Sequence, residues 1–200
     1  MRTVIPTGKH RTLVATVRPA LWPILGGHTG RGDLVRTLTI HSRPQDVEAG
    51  YADHDAAATD GTVCTGDRHK LIGRTSGLCR PRTGSVRLAC WAALYPDGSF
   101  AGTWSLGTLA HIRAKKGKKH FRDLDYAVEP GEPFTVRMEA ARDPDTGALG
   151  TLVEVVNPAD PHIRRSVTVP QPWVWGFGLG PYVGGNCPAS APFVVDSETP

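Results

Sequence analysis

The chain has 200 residues, of which 40% are hydrophobic and 21% charged, and its formal net charge is +4. This balance is typical of one globular domain and excludes a chain that is disordered throughout, because such chains contain too few apolar residues to form a core. No run of eighteen apolar residues occurs, so we expect no membrane span. The basic start of the chain has no uninterrupted apolar segment before Lys9 and does not resemble a signal peptide.

Glycine (23 residues) and proline (17 residues) are spread along the whole chain, which indicates many turns between short strands. No segment shows a sustained apolar period of 3.6 residues, so we predict an all-β fold with very little helix. We expect a single β-sandwich domain over residues 1–200, with a long polar loop region at about 41–84. The predicted strands are Arg11–Val17, Leu34–Ile40, Lys70–Arg74, Ser85–Tyr95, Phe100–Ser105, Thr108–Arg113, Phe134–Ala141, Thr151–Asn157, Arg165–Val169, Trp173–Leu179 and Ala191–Asp196.

The strand Ser85–Tyr95 has an amphipathic face that is unusual in its composition. Because side chains alternate along a strand, Arg87, Trp91 and Tyr95 are expected to point to one side. Aromatic rings pack against the apolar faces of sugars, and arginine pairs with carboxylate or sulfate groups. This face therefore predicts a binding surface for an acidic glycan. The alternative is that these aromatic residues cover a second layer of the core.

The segment HIRAKKGKKHFR (His111–Arg122) concentrates positive charge without any acidic residue. Crowded cations repel one another unless solvent or a polyanion offsets the charge. An anionic polysaccharide fits this segment, and a solvated hairpin tip is the alternative. Nucleic acid is not the expected partner, because no base-reading motif accompanies the charge.

The stretch WVWGFGLGPYVGGN (Trp173–Asn186) combines four aromatic residues with five glycines. In a strand, Trp173, Trp175, Phe177 and Leu179 share one face, while the opposite face is nearly bare and permits close approach. The adjoining run FGLGPYVGGNCPASAP resembles the late strand and loop of concanavalin A-like β-jelly rolls, found in bacterial polysaccharide-lyase-type and lectin-like proteins. The preceding hairpin, PFTVRMEAARDPDTGALGTLVEVVN, is similar to a strand pair of the same group, so the likeness covers Glu129–Asp196.

The resemblance implies a jelly-roll fold and a carbohydrate ligand. If it extends to the lyases, the chemistry is β-elimination on a uronic-acid polymer, which needs an arginine or glutamine to neutralise the carboxylate and a tyrosine or histidine to move the proton. The candidate catalytic residues are Arg87, Tyr95, His111 and Tyr182. The candidate ligand-binding residues are Arg87, Trp91, Tyr95, His111, Arg113, Lys115, Lys116, Lys118, Lys119, Tyr182 and Asn186.

Four cysteines permit three full pairings. A local bridge between Cys64 and Cys79 and a second bridge between Cys90 and Cys187 are predicted, with four free thiols as the alternative. We expect no metal site and no cofactor, because no ligand pair with zinc spacing is present.

Three functional hypotheses follow. The first is a carbohydrate-binding, lectin-like jelly roll for an acidic polysaccharide, acting as an adhesin outside the cell or on a virion surface. The second is a polysaccharide lyase on the same fold, since a fold does not fix a function. The third is a structural virion or coat component, which would form an oligomer in a larger assembly.

Overall fold

The computed structural model describes residues 1–9, 34–49, 68–75, 84–111, 119–171, 178–183 and 189–199. Within them, one short helix and eleven strands occur, and all strand pairs are antiparallel. The elements are β1 (Arg2–Ile5), β2 (Leu34–Ile40), α1 (Pro44–Val47), β3 (His69–Thr75), β4 (Ser85–Leu94), β5 (Phe100–His111), β6 (Lys119–Val128), β7 (Pro133–Arg142), β8 (Leu149–Val156), β9 (Arg164–Pro170), β10 (Gly178–Leu179) and β11 (Phe193–Glu198). The all-β prediction is therefore confirmed.

The strands form two sheets that pack face to face as a β-sandwich. The first sheet has the order β1-β11-β2-β7-β8-β9 and the second has the order β10-β3-β4-β5-β6. Apolar side chains from both sheets make one buried core, as expected when each sheet presents alternate residues to the other. Two strands of the second sheet, β4 and β5, are long enough to present a broad outer surface on the side away from this core.

The centre of the core is built around Trp104, which is fully buried. Its indole Nε1 donates a hydrogen bond to the carbonyl of Ser42 at 2.9 Å, and its ring lies edge-on to Phe193 and His69. The Nε2 atom of the buried His69 lies 2.7 Å from Glu48 Oε1, and the same oxygen accepts a hydrogen bond from the backbone N–H of Ala92. This buried pair ties the segment that follows α1 to β3 and β4.

Several strand predictions are confirmed and others need correction. The limits of β2 match the prediction, and the predicted hairpin over Phe134–Asn157 is formed by β7 and β8. The two strands predicted at Phe100–Ser105 and Thr108–Arg113 are one continuous strand, β5. Lys119–Arg122, predicted as part of a basic loop, lie in β6, and the polar region 41–84 contains both α1 and β3. The predicted strand Arg11–Val17 and most of Trp173–Leu179 lie outside the described residues.

The β7–β8 turn is held by the carboxylate of Asp143. Its Oδ1 accepts hydrogen bonds from the N–H groups of Asp145 and Thr146 and from the Thr146 hydroxyl. Gly147 adopts a φ of +68°, a conformation that glycine reaches at little cost. The turn signature in the sequence therefore acts through a side-chain cap and one left-handed residue.

Cys90 is a free, fully buried thiol, so the predicted bridge between Cys90 and Cys187 is wrong. Its side chain faces the apolar core, where it packs as a small hydrophobic residue. Cys187 itself lies outside the described residues, as do Cys64 and Cys79, and their pairing stays a prediction. The helix in the described part of the chain is too short to cross a membrane.

Strand β11, which lies next to the edge strand β1 of the first sheet, carries a carboxylate with a strongly lowered pKa. Arg2 donates two hydrogen bonds to Asp196, at 3.0 and 2.9 Å, and His41 lies 2.8 Å from the same carboxylate. The hydrogen bond from Arg2 is the main cause that lowers the pKa of Asp196 to about 2, against a smaller opposing effect of burial.

We expect Asp196 to make stability depend on pH in the acid range. A carboxyl whose pKa is lower in the folded state than its usual 3.8 stabilises the fold above that value, and the stabilisation is lost as the pH falls towards 2. Urea unfolding of the protein and of Asp196→Asn should show a difference that is constant above about pH 5 and shrinks towards pH 2. A difference that does not change with pH would contradict this assignment.

Candidate functional site

The outer face of the second sheet brings basic and aromatic side chains from four strands and one adjoining segment together. The strand register places Leu179, Gly73, Arg87, Leu109 and Phe121 in one row across the five strands. Val86, Leu88 and Cys90 alternate with these positions on β4 and face the core. The predicted two-sided character of β4 is thus confirmed for this part of the strand.

The side chain of Arg87 packs over Gly73 on the neighbouring strand β3. A Cβ atom added to Gly73 would lie 2.7 Å from Arg87 Cγ and 2.4 Å from the carbonyl oxygen of Val86, so only glycine leaves room for the arginine stem. The side chain of Arg87 is half-buried, and its Nε has no hydrogen-bond partner among the described residues.

The charge of Arg87 has no carboxylate to compensate it in the described residues. Burial lowers the pKa of Arg87, and the nearby phenol of Tyr182 raises it slightly. An arginine remains protonated in proteins despite such a shift. A partly desolvated cation without an ion-pair partner is unfavourable by itself, so an anionic group that reached it would be bound with a gain in free energy.

Tyr182 joins this face through a backbone bridge to β3. The N–H of Tyr182 donates to the carbonyl of Lys70 at 2.8 Å, and the N–H of Lys70 donates to the carbonyl of Tyr182 at 2.7 Å. The ammonium of Lys70 lies 5.2 Å from the centroid of the Tyr182 ring, within the range of a cation–π contact. The next residue, Val183, is fully buried in the core, which places Tyr182 on the outer side.

Trp91 forms an aromatic cluster with residues on both neighbouring strands. Its ring meets Phe121 edge-on with centroids 5.0 Å apart, and the Cζ atom of Arg68 lies 3.4 Å from the centroid of the Phe121 ring. Both rings rest on Gly107, where an added Cβ would come within 3.0 Å of each of them. The half-buried Trp91 therefore is held in place and still presents part of its ring to the outside.

The other sequence-predicted residues are distributed as follows. His111 lies on the same face, opposite Ser85, with its Nδ1 3.4 Å from the Ser85 hydroxyl. Tyr95 lies just beyond the end of β4, at the β4–β5 turn, where its side chain is exposed and its backbone N–H donates to the carbonyl of Ser99. Its place beside Arg87 and Trp91 stays a prediction.

Most of the predicted basic loop cannot be compared with the prediction. Lys119 is in β6, and its backbone pairs with that of His111. Arg113, Lys115, Lys116 and Lys118 lie outside the described part of the chain, and so does the candidate residue Asn186 of the later glycine-rich turn.

Three members of the cluster were not predicted from the sequence: Arg68, Lys70 and Phe121. Phe121 alternates with His120 and Arg122, and this period of two within a charged segment was the available signal. Arg68 and Lys70 flank His69 in a polar region, where no local pattern shows which side faces outward. Their position depends on the pairing of β3 with β4.

The core contains the buried residues Glu48, His69 and Cys90, whose types are common in active sites, but their environment does not favour catalysis. Burial raises the pKa of the Cys90 thiol well above its usual range, and the Glu48 carboxylate raises it further. A buried thiol that is kept protonated is a poor nucleophile. No cluster of three His, Cys, Asp or Glu side chains that could hold a metal ion is found in the described part of the structure.

Comparison with protein-family models, with curated proteins and with solved structures finds no match. The functional conclusion therefore depends on the residues and geometry of the chain itself.

Proposed function

We propose that this protein is a carbohydrate-binding module of the concanavalin A-like, jelly-roll type that binds an acidic polysaccharide on the outer face of its second sheet. The observation that carries the proposal is Arg87, a half-buried cation that has no ion-pair partner among the described residues and lies beside Tyr182. A uronate carboxylate matches the planar fork of a guanidinium and would supply the missing acceptors.

The aromatic residues supply the second half of the proposed recognition. Trp91 is fixed by Phe121 and Gly107, so binding a sugar ring against it costs little side-chain entropy. Arg68 and Lys70 add positive charge to the same face. Asp123, which lies on β6 two residues after Phe121, is the acidic residue beside it. The surface thus combines aromatic rings with positive charge. This combination suits a polymer that carries apolar sugar faces and negatively charged carboxylates.

A lyase on the same surface is the second candidate function. It is favoured by one observation, the proximity of Tyr182 to Arg87, with His111 on the same face. In this hypothesis, Arg87 would neutralise the uronate carboxylate and Tyr182 or His111 would move the proton. Tyr95, at the β4–β5 turn, has no part in it.

The experiment is a titration of the protein with polygalacturonate, followed by calorimetry for binding and by ultraviolet absorbance for unsaturated uronate products. We expect binding that weakens as salt rises, because exposed charges are screened over about 8 Å at physiological ionic strength. The neutral methyl ester of the same polymer is the control and should bind weakly at every salt concentration. Steady growth of product absorbance would favour the lyase instead, and no binding to either uronate or sulfated polymers would refute the proposal.

A further inference from the structure

A second group of polar residues lies between the two sheets, on the opposite side of β5 from the proposed polysaccharide surface. Arg74, Thr108, Thr151 and Gln171 are all buried. Arg74 donates a hydrogen bond from Nη2 to the Thr151 hydroxyl at 2.9 Å and so links the two sheets. The apolar core thus gives way to a polar interior near the ends of β8 and β9.

A cleft of about 220 Å³ opens at this end of the sandwich, where β5 and β6 face β9. Its lining residues are Thr108, His120, Arg122, Val169 and Pro170. This volume is smaller than the roughly 300–1,000 Å³ of sites for drug-sized ligands, so the cleft suits a compact group. Both basic side chains are exposed, and neither makes a hydrogen bond or ion pair with a described residue.

The acidic side chain of Asp143 makes no ion pair with Arg122 in the described residues. Asp143 lies close enough for Arg122 to contribute to the lowering of its pKa, but the main cause is the set of hydrogen bonds from Thr146. Its Oδ1 is already occupied by the β7–β8 turn. The donors of Arg122 are therefore available to another acceptor in the cleft.

Next to the cleft, one buried donor lacks an acceptor among the described residues. Gln171 follows Pro170, and its buried Nε2 has no hydrogen-bond partner, while its Oε1 lies 3.4 Å from the Thr151 hydroxyl. Thr151 is paired with Val169 of the cleft wall. A buried amide nitrogen without an acceptor is unfavourable, so this end of the sandwich is more polar than the apolar core.

We propose that this cleft is an oxyanion site that takes a compact carboxylate, sulfate or phosphate group, with Arg122 and His120 as its principal contacts. The group could be a free ion or could be carried on a small saccharide, and the chemistry of recognition is the same in both cases. The site is independent of the proposed polysaccharide surface, since it opens on the inner side of β5 and β6.

Calorimetric titration of the full chain with inorganic phosphate, sulfate and monomeric galacturonate tests this site, with sodium chloride added to keep the ionic strength constant. We expect at least one of them to bind and Arg122→Gln to weaken that binding by roughly tenfold, the loss typical of one charged hydrogen bond. His120→Gln should also weaken binding, because it removes the second basic side chain that lines the cleft. The matched control is Arg164→Gln, an exposed arginine at the other end of β9.

Binding of phosphate or sulfate alone would identify a site for free ions, and binding of galacturonate would identify a saccharide subsite. Equal losses in Arg122→Gln and Arg164→Gln, or no binding of any of the three compounds, would overturn the proposal. Arg122→Gln should retain affinity for polygalacturonate. If polygalacturonate fails to bind while an oxyanion still binds in the cleft, only the polysaccharide proposal fails.

Discussion

Replacement of Trp104 by alanine is expected to destabilise the protein by about 3–5 kcal/mol, the range for removal of a large buried aromatic side chain. The side chain is fully buried and packs edge-on against His69 and Phe193. Its loss would also leave the carbonyl of Ser42 without the indole N–H. Since domains are stable by only about 5–15 kcal/mol, this single change removes a large part of the total. Urea unfolding followed by circular dichroism measures it.

Two further variants test whether the loss of stability comes from the buried position of Trp104. Trp91→Ala makes the same chemical change on the half-buried outer face and should cost clearly less. Trp104→Phe keeps an aromatic ring and loses the N–H donor, so it should cost about 1–3 kcal/mol and remain folded. If Trp104→Ala proved no more destabilising than Trp91→Ala, the position of Trp104 at the centre of the core would be wrong.

Replacement of Arg87 by glutamine is expected to reduce affinity for polygalacturonate by roughly 30-fold or more, since loss of one partner of a desolvated charge pair costs about 2 kcal/mol or more. The fold should tolerate the change, because Arg87 makes no hydrogen bond or ion pair with the described residues. Arg87→Lys should recover only part of the affinity, since an ammonium lacks the planar fork of a guanidinium. Gly73→Ala should also weaken binding, because its Cβ would displace the arginine stem.

The sequence is informative where a strand alternates without interruption. Leu34–Ile40 and the hairpin of β7 and β8 were predictable because β-branched residues and a turn signature mark their limits. At Gly107, by contrast, the sequence pattern led to a wrong prediction. A glycine within β5 resembled a break between two strands, whereas its role is to let Trp91 and Phe121 pack closely over the backbone.

Elements that depend on irregular pairing could not be predicted. In β6, a register shift and the positive φ of Asp125 interrupt the alternation, so its apolar residues have no simple period. The buried contact between Glu48 and His69 joins residues 21 positions apart in a polar region, where local composition carries no sign of burial. Tyr95 likewise lies beyond the end of β4, where strand alternation no longer fixes the direction of its side chain.

The candidate site shows the same division between local and long-range information. Arg87 and Trp91 share a face because they are four residues apart on a regular part of β4, and the alternation alone places them together. Tyr182 reaches them only through its backbone pairing with Lys70, a contact between distant parts of the chain. Sequence patterns therefore identified the strand that carries the site, and the sheet order supplied its neighbours.

The most direct test of the proposed recognition is a calorimetric titration of polygalacturonate into three proteins at two salt concentrations. The proteins are the wild type, Arg87→Gln and Arg164→Gln, which lose the same charge on different surfaces. We expect the wild type and Arg164→Gln to bind with similar affinity and Arg87→Gln to bind roughly 30-fold more weakly at both salt concentrations. Equal affinity of Arg87→Gln and Arg164→Gln would contradict recognition of the polymer by Arg87 on the outer face of the sheet.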